Sequence, residues 1–161
     1  MPEHVIECFT QEYDRFHGLL EQQIDACPGE DVWLEKIGGI AYWHHIMHSL
    51  GCIEHCARSF GTPYTFTRYP RDVVRFRAGP PHEAMSRDEM RALAADMKKM
   101  VHEYFKTLTA ESLTRKNETL SQHMGQDATH QTAILFLIRH PAYHIGCLDT
   151  VLRSHGVPGV Y

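Results

Sequence analysis

Two histidines lie four residues apart in an apolar stretch near the end of the sequence, His140 and His144 within residues 139–148. Because a helical turn takes about 3.6 residues, both imidazoles leave the same face of a helix. Burying two imidazoles among apolar groups costs free energy unless their nitrogens find partners. A divalent metal ion is such a partner, and zinc binds neutral imidazole nitrogens at about 2.0–2.1 Å. The pair therefore predicts half of a metal site that needs a ligand from another helix.

Candidates for that ligand lie in a second apolar segment, residues 43–48, which holds three histidines. His45 and His48 lean toward the predicted inward face of this helix, whereas His44 lies at its edge. The sequence contains 13 histidines, so a pair at this spacing is also expected by chance, and His44 and His48 form a second one. The spacing alone leaves two interpretations open, a metal site and ordinary helix histidines.

The cysteines fit a reducing environment. Their number is odd, and most lie in helix-like sequence, so reduced thiols in a cytoplasmic protein are predicted. Cys147 comes one turn after His144 and is either a soft metal ligand or an apolar filler. Cys52 and Cys56 are interpreted as small core residues rather than ligands. The five cysteines are Cys8, Cys27, Cys52, Cys56 and Cys147.

Composition excludes several classes of function. Hydrophobic content of 43% and charged content of 22% over 161 residues predict one soluble globular domain spanning residues 1–161. The net charge of −4 with no long basic run argues against nucleic acid and anionic membranes as partners. The longest apolar run, residues 133–138, is too short to span a bilayer. The first residues lack the layout of a signal peptide, which again favours the cytoplasm.

Apolar periodicity predicts four helices and no sheet, since no segment alternates convincingly with period two. The second helix contains Gly38 and Gly39, which are unfavourable in its first turns. The third begins at a capping box formed by Ser86 and Glu89. Four helices joined by two long connections predict an all-α, four-helix bundle with crossover topology. The predicted helices cover about residues 2–26, 31–59, 87–108 and 128–154, and the long connections cover residues 61–86 and 109–127.

The long connections are candidates for lids or walls over the metal. Aromatic residues in and before the first connection would then line a pocket, or would instead cover edges of the core. These residues are Phe60, Tyr64, Phe66 and Tyr69.

The histidine segments resemble the motifs of a known family. Residues 140–148, with His140, His144 and Gly146 followed by Arg153 and Gly156, resemble the last-helix signature of the DinB/YfiT-like superfamily. Residues 43–50 resemble the histidine motif of that family's second helix. Chain length, helix count and long loops agree over nearly the whole sequence. One departure is Cys147, where the family usually has Gln.

The resemblance implies a fold and a metal site. It implies a four-helix bundle of up-up-down-down topology, often a homodimer, with zinc or nickel held by three histidines. Position by position, the ligands fall on His45, His140 and His144, because His45 precedes an aliphatic residue as the family histidine does. His48, one turn beyond His45, is the alternative second-helix ligand, and Cys147 is a further candidate.

The resemblance also implies a class of activity. Characterised relatives include transferases and isomerases in which the metal activates a low-molecular-weight thiol, and metal-bound thiols are deprotonated at neutral pH. We therefore expect a metal-dependent enzyme of the thiol S-transferase type that acts on small electrophilic substrates. Tyr143, His48 and Arg153 are candidates for supporting roles. The alternatives are a metal-dependent hydrolase, a non-catalytic metal-binding or dimer-forming bundle of a stress response, and a bundle whose histidines are incidental.

Overall fold

A computed structural model describes residues 2–59, 61, 69–79 and 83–161. Within these residues the chain is mostly helical, with one small two-stranded sheet. No described helix has the length and apolar character that crossing a bilayer requires. The elements are α1 (Pro2–Ala26), α2 (Glu30–Leu34), β1 (Lys36–Ile37), β2 (Ile40–Ala41), α3 (Tyr42–Gly51), α4 (Glu54–Ala57), α5 (Arg71–Val74), α6 (Arg87–Lys106), a 3-10 turn (Glu111–Thr114), α7 (Glu118–Met124) and α8 (His130–Ser154).

The core lies between helices that are distant in sequence. α1 packs against α6 and α8, and α3 packs against the same two helices. Large apolar side chains that face one another here are nearly inaccessible to water, and each contributes about 1.5–3 kcal/mol relative to exposure. They include Tyr13, Leu20, Ile24, Tyr42, Ile46, Met47, Leu50, Met90, Val101, Ile134 and Leu148.

Three helices agree with the sequence prediction because their ends carry strong local signals. α1 spans the predicted residues. At the start of α6, Ser86 Oγ accepts from the backbone N–H of Glu89 at 3.3 Å, and the Ser86 N–H donates to the Glu89 carboxylate at 2.9 Å, which forms the predicted capping box. α8 begins after Thr129, whose hydroxyl accepts from the Thr132 N–H at 3.2 Å. It ends before Gly156, which has φ +72°.

The predicted second helix, residues 31–59, is wrong as one continuous element, and so is the prediction that no sheet forms. Gly38 and Gly39 have φ of +59° and +90°, a pair of positive values that suits a tight hairpin rather than a helix. Ile37 pairs with Ile40 across this turn in antiparallel register. α2 therefore ends before the hairpin, and α3 begins directly after it. A second interruption after α3 separates it from the short α4.

Both long connections contain short helices. The first holds α5, and the second holds the 3-10 turn and α7. Of the aromatics predicted to line a pocket, Phe60, Tyr64 and Phe66 lie outside the described residues. Tyr69 is buried, packs on Trp43 with ring centroids 5.9 Å apart, and donates its hydroxyl to the Glu83 carbonyl at 3.0 Å. Tyr69 thus covers an edge of the core, which was the alternative interpretation.

Candidate metal centre

Three histidines meet where α3 packs against α8. The ring centroid of His48 lies 4.9 Å from that of His140 and 4.9 Å from that of His144. The rings of His140 and His144 are 4.7 Å apart, as their spacing on one helix face predicts. The contact between α3 and α8 thus brings the two predicted histidine segments together.

Cys52 joins this cluster one helical turn after His48. Its Sγ lies 3.7 Å from Nδ1 and 3.9 Å from Nε2 of His48. One ligand-type atom from each of His48, Cys52 and His140 falls within 4.8 Å of the others, so these three residues form a group that can hold a metal ion. The prediction that Cys52 is only a core residue omitted this role. The i,i+4 spacing from His48 was the signal available in the sequence.

A backbone carbonyl fixes the tautomer of His48. Its Nδ1 is hydrogen-bonded to the carbonyl oxygen of Val74. Because a carbonyl only accepts, Nδ1 carries the proton, and in the neutral ring Nε2 keeps its lone pair. This is how metal-binding histidines are commonly oriented, with one nitrogen donating to the protein and the other free to ligate.

His45 reaches the cluster through His144. The Nδ1 atoms of these two rings are 3.1 Å apart, and His45 Nε2 lies 3.5 Å from the Ile37 carbonyl of the hairpin. With His45 Nε2–H donating to Ile37, His45 Nδ1 accepts from the Nδ1–H of His144. His144 then keeps a lone pair on Nε2. The hairpin that interrupts the predicted helix therefore positions a site residue.

His140 has a buried nitrogen without a partner. Its Nε2 is inaccessible to water and makes no hydrogen bond among the described residues. The ring stacks on Phe136, with centroids 4.8 Å apart and planes 14° from parallel. An unsatisfied buried polar atom costs about 1–3 kcal/mol, and a bound metal ion would satisfy this one.

Burial keeps the histidines in the form that binds metals. It lowers the pKa of both His48 and His140 to about 4 and that of His144 to about 2, so the rings are neutral at neutral pH. Burial also raises the pKa of the Cys52 thiol to about 12, so this thiol stays protonated in the absence of a metal. A metal that binds Cys52 releases its proton, because only the thiolate is a strong ligand.

Phe76 covers the cluster. Its ring stacks on that of His48 with centroids 3.9 Å apart, and meets the rings of His45 and His144 edge-on at 5.5 Å and 6.1 Å. Phe76 follows α5 in the first long connection, where apolar periodicity carries no signal. Sequence analysis therefore assigned it no role.

The remaining predicted residues lie around the group rather than in it. Cys147 is half-buried and does not belong to the group of possible ligands found among the described residues. The Tyr143 side chain is 67% exposed, although its ring meets that of His144 edge-on. Arg153 donates to Asp149 at 3.2 Å.

Comparisons with known proteins do not assign this site. No family model matches the chain, and comparison with curated proteins and with solved structures finds no match. The DinB/YfiT-like resemblance stays a prediction from the motif residues, and the side-chain geometry is what supports a function for this chain.

Proposed function

We propose that this chain is a metal-dependent enzyme whose divalent ion is held by His48, Cys52 and His140. The observation that carries the proposal is the convergence of one ligand atom from each of these three residues within 4.8 Å, with one buried nitrogen, His140 Nε2, that has no partner among the described residues. His144 lies beside this group but outside it, with its ring centroid 4.7 Å from that of His140. His48 takes the place predicted for His45, because His45 is hydrogen-bonded to His144.

The donor set favours zinc, with nickel second. Two imidazoles and one thiolate suit a borderline-soft divalent ion, whereas magnesium and calcium prefer oxygen ligands. When bound, such an ion lowers the pKa of a thiol or water at an open position, which supplies a nucleophile at neutral pH. The Val74 carbonyl orients His48, His45 orients His144, and the rings of Phe76 and Phe136 limit the access of water.

The reaction class is proposed from the family motifs together with this donor set. We propose a thiol-dependent S-transferase that joins a low-molecular-weight thiol to a small electrophilic substrate. Up-up-down-down bundle topology and a homodimer are proposed on the same motifs. The packing of α1 and α3 against α6 and α8 supports the bundle.

One observation favours a second candidate, a closed and non-catalytic metal site. If His144 binds the ion as well, three histidines and Cys52 supply four protein ligands, the number found in structural zinc sites. The ring of His144 adjoins the group, with its centroid 4.9 Å from that of His48 and 4.7 Å from that of His140, and this side chain would have to move closer to bind the same ion. A filled fourth position leaves no place for a thiol substrate.

Cobalt substitution separates these candidates. We expect the cobalt form to show a thiolate-to-cobalt charge-transfer band that is lost in Cys52→Ser. A small thiol should then change the ligand-field spectrum if one position is open. An unchanged spectrum at saturating thiol would support the closed site, and failure to bind cobalt would contradict both candidates.

A further inference from the structure

Residues 73–76, which form the end of α5 and the turn after it, make two kinds of contact with His48. Carbonyl oxygens of Val73 and Val74 accept from His44 Nε2, at 2.8 Å, and from His48 Nδ1. The ring of Phe76 stacks on that of His48, with planes 21° from parallel. His48 therefore has one hydrogen bond and one stacking contact to the same short segment.

Phe76 adopts a backbone conformation that an aromatic residue rarely takes. Its φ is +60°, and it is the one non-glycine residue with positive φ in the part of the chain that the structure describes. A positive φ costs free energy for a residue with a Cβ, so the turn by itself would favour glycine at this position. The position carries instead a large ring that contacts site histidines.

Hydrogen bonds anchor the chain on both sides of Phe76. The N–H of Arg77 donates to the Asp72 carbonyl at 2.8 Å, and that of Phe76 donates to the Val73 carbonyl at 3.2 Å, which closes the turn. The guanidinium of Arg75 contacts His55 Nε2 at 3.4 Å and also contacts His123 Nδ1, which ties the segment to α4 and α7. These contacts keep the ring of Phe76 over His48.

We propose that Phe76 is a positioning residue for the metal site. Its ring holds the His48 imidazole in the orientation in which Nδ1 donates to Val74 and Nε2 is left as the ligand atom. This inference rests on the proposed metal-binding function. It goes beyond that function because it assigns the selection of the ligating nitrogen to the loop after α5.

The variant Phe76→Gly tests the contribution of the ring independently of the conformation of the turn. Glycine accepts positive φ without strain, so this variant removes the stacking contact while it relieves the backbone. Phe76→Tyr keeps a ring that can stack and is the rescue variant. Phe76→Leu keeps an apolar side chain without a ring, and it makes the same test if the glycine variant fails to fold.

The experiment reads the His48 tautomer by nitrogen NMR in the metal-free protein and the cobalt affinity by competition titration. We expect the Nδ1–H tautomer in the wild type and in Phe76→Tyr. In Phe76→Gly we expect a mixture with the Nε2–H form and a loss of cobalt affinity of about 10-fold or more, as for other groups that orient a ligand. Phe76→Leu should show the same changes.

A matched control distinguishes positioning from general loosening. Val73→Ala shortens a buried side chain in the same segment but leaves its carbonyl and the ring of Phe76 in place. It should lower the melting temperature and leave the tautomer unchanged. A wild-type tautomer and wild-type cobalt affinity in Phe76→Gly would overturn the positioning role, whereas failure of the wild type to bind cobalt would contradict the proposed function itself.

Discussion

Two side chains on α8, those of His140 and Asp149, have buried polar atoms that differ in their hydrogen bonding. They lie about 14 Å apart along the helix axis. His140 Nε2 has no hydrogen-bond partner in the described part of the chain, whereas the carboxylate of Asp149, which is 1% exposed, accepts several. The middle of this helix thus holds a polar atom that lacks a partner, and its C-terminal half holds a carboxylate that accepts several hydrogen bonds.

The partners of Asp149 show what a structural role looks like. Gln23 Nε2 donates to it at 2.6 Å, and the backbone N–H groups of Val160 and Tyr161 donate at 2.9 Å and 3.1 Å. Tyr42 donates in turn to Gln23 Oε1 at 2.6 Å. This network ties the C-terminal residues and α1 to α8. Burial alone therefore does not mark a functional group, whereas a buried atom that lacks a partner and lies within a group of three possible metal ligands does.

The largest expected effect is a loss of fold stability when the Asp149 carboxylate is removed. Asp149→Ala removes the acceptor of two backbone N–H groups and leaves the buried Gln23 amide with only its 3.5 Å contact to the Ile145 carbonyl, so we expect the free energy of unfolding to fall by about 3–5 kcal/mol. Urea denaturation measures this loss. Cobalt stoichiometry of the folded protein should not change. A variant as stable as the wild type would contradict the structural role of Asp149.

Removing the His140 imidazole should have the opposite pattern, with a loss of zinc affinity and no loss of fold stability. Loss of a group that only orients a metal ligand lowers metal affinity by up to about 100-fold. Because His140 is proposed as a ligand itself, we expect His140→Leu to lower zinc affinity by more than about 100-fold. The metal-free variant should be as stable as the wild type or more so, since it no longer buries an unpartnered nitrogen. Competition titration and urea denaturation measure the two effects. Unchanged zinc affinity would remove His140 from the site.

Acid sensitivity provides a third comparison, through a buried histidine outside the site. His17 is 1% exposed and contacts the Tyr13 hydroxyl at 3.1 Å, and burial lowers its pKa from 6.5 to about 4. Below pH 6.5 the unfolded chain therefore binds a proton that the folded protein does not bind, so stability falls as the pH falls toward 4.

We expect this ring to account for about 2–3 kcal/mol of the loss of stability on acidification. His17→Leu should flatten the pH profile by that amount, measured by urea denaturation across the same window. Zinc should not restore the loss due to His17, because this ring does not belong to the metal group. A profile identical to that of the wild type would show that His17 is protonated in the fold.

The smallest effect on zinc affinity should come from His45, which is hydrogen-bonded to His144 and lies outside the group of ligand atoms. We expect His45→Ala to lower zinc affinity by about 10-fold, as for a group that orients a ligand. His17→Leu is the control, because His17 is a buried histidine that contacts Tyr13 and lies outside the metal group. Loss of affinity as large as in His140→Leu would restore His45 to the ligand set predicted from the sequence.

Much of the fold could be predicted because local signals agree with packing. α1, α6 and α8 have apolar periodicity along their length, and the capping box at Ser86 and the glycine after α8 mark their ends. The second helix could not be predicted in the same way. Its apolar stripe is consistent with one long helix, but Gly38 and Gly39 adopt positive φ and form a hairpin instead.

The site could be predicted only in part. The spacing of His140 and His144 predicts two neighbouring rings, and these rings are 4.7 Å apart. Cys52 resembles any small core residue of a helix, and its spacing of four residues from His48 was the one signal in the sequence for its place in the group. The Val74 carbonyl and the ring of Phe76 act from a connection whose path depends on tertiary contacts rather than on periodicity.

We propose that the cluster of His48, Cys52 and His140, where α3 packs against α8, binds a metal ion. The most direct test of this proposal is the zinc and nickel content of tag-free protein, measured by mass spectrometry before and after incubation with each metal and dialysis. We predict about one ion per chain, the stoichiometry of a single closed or catalytic site. Protein that is purified without metal and takes up neither zinc nor nickel would contradict the account.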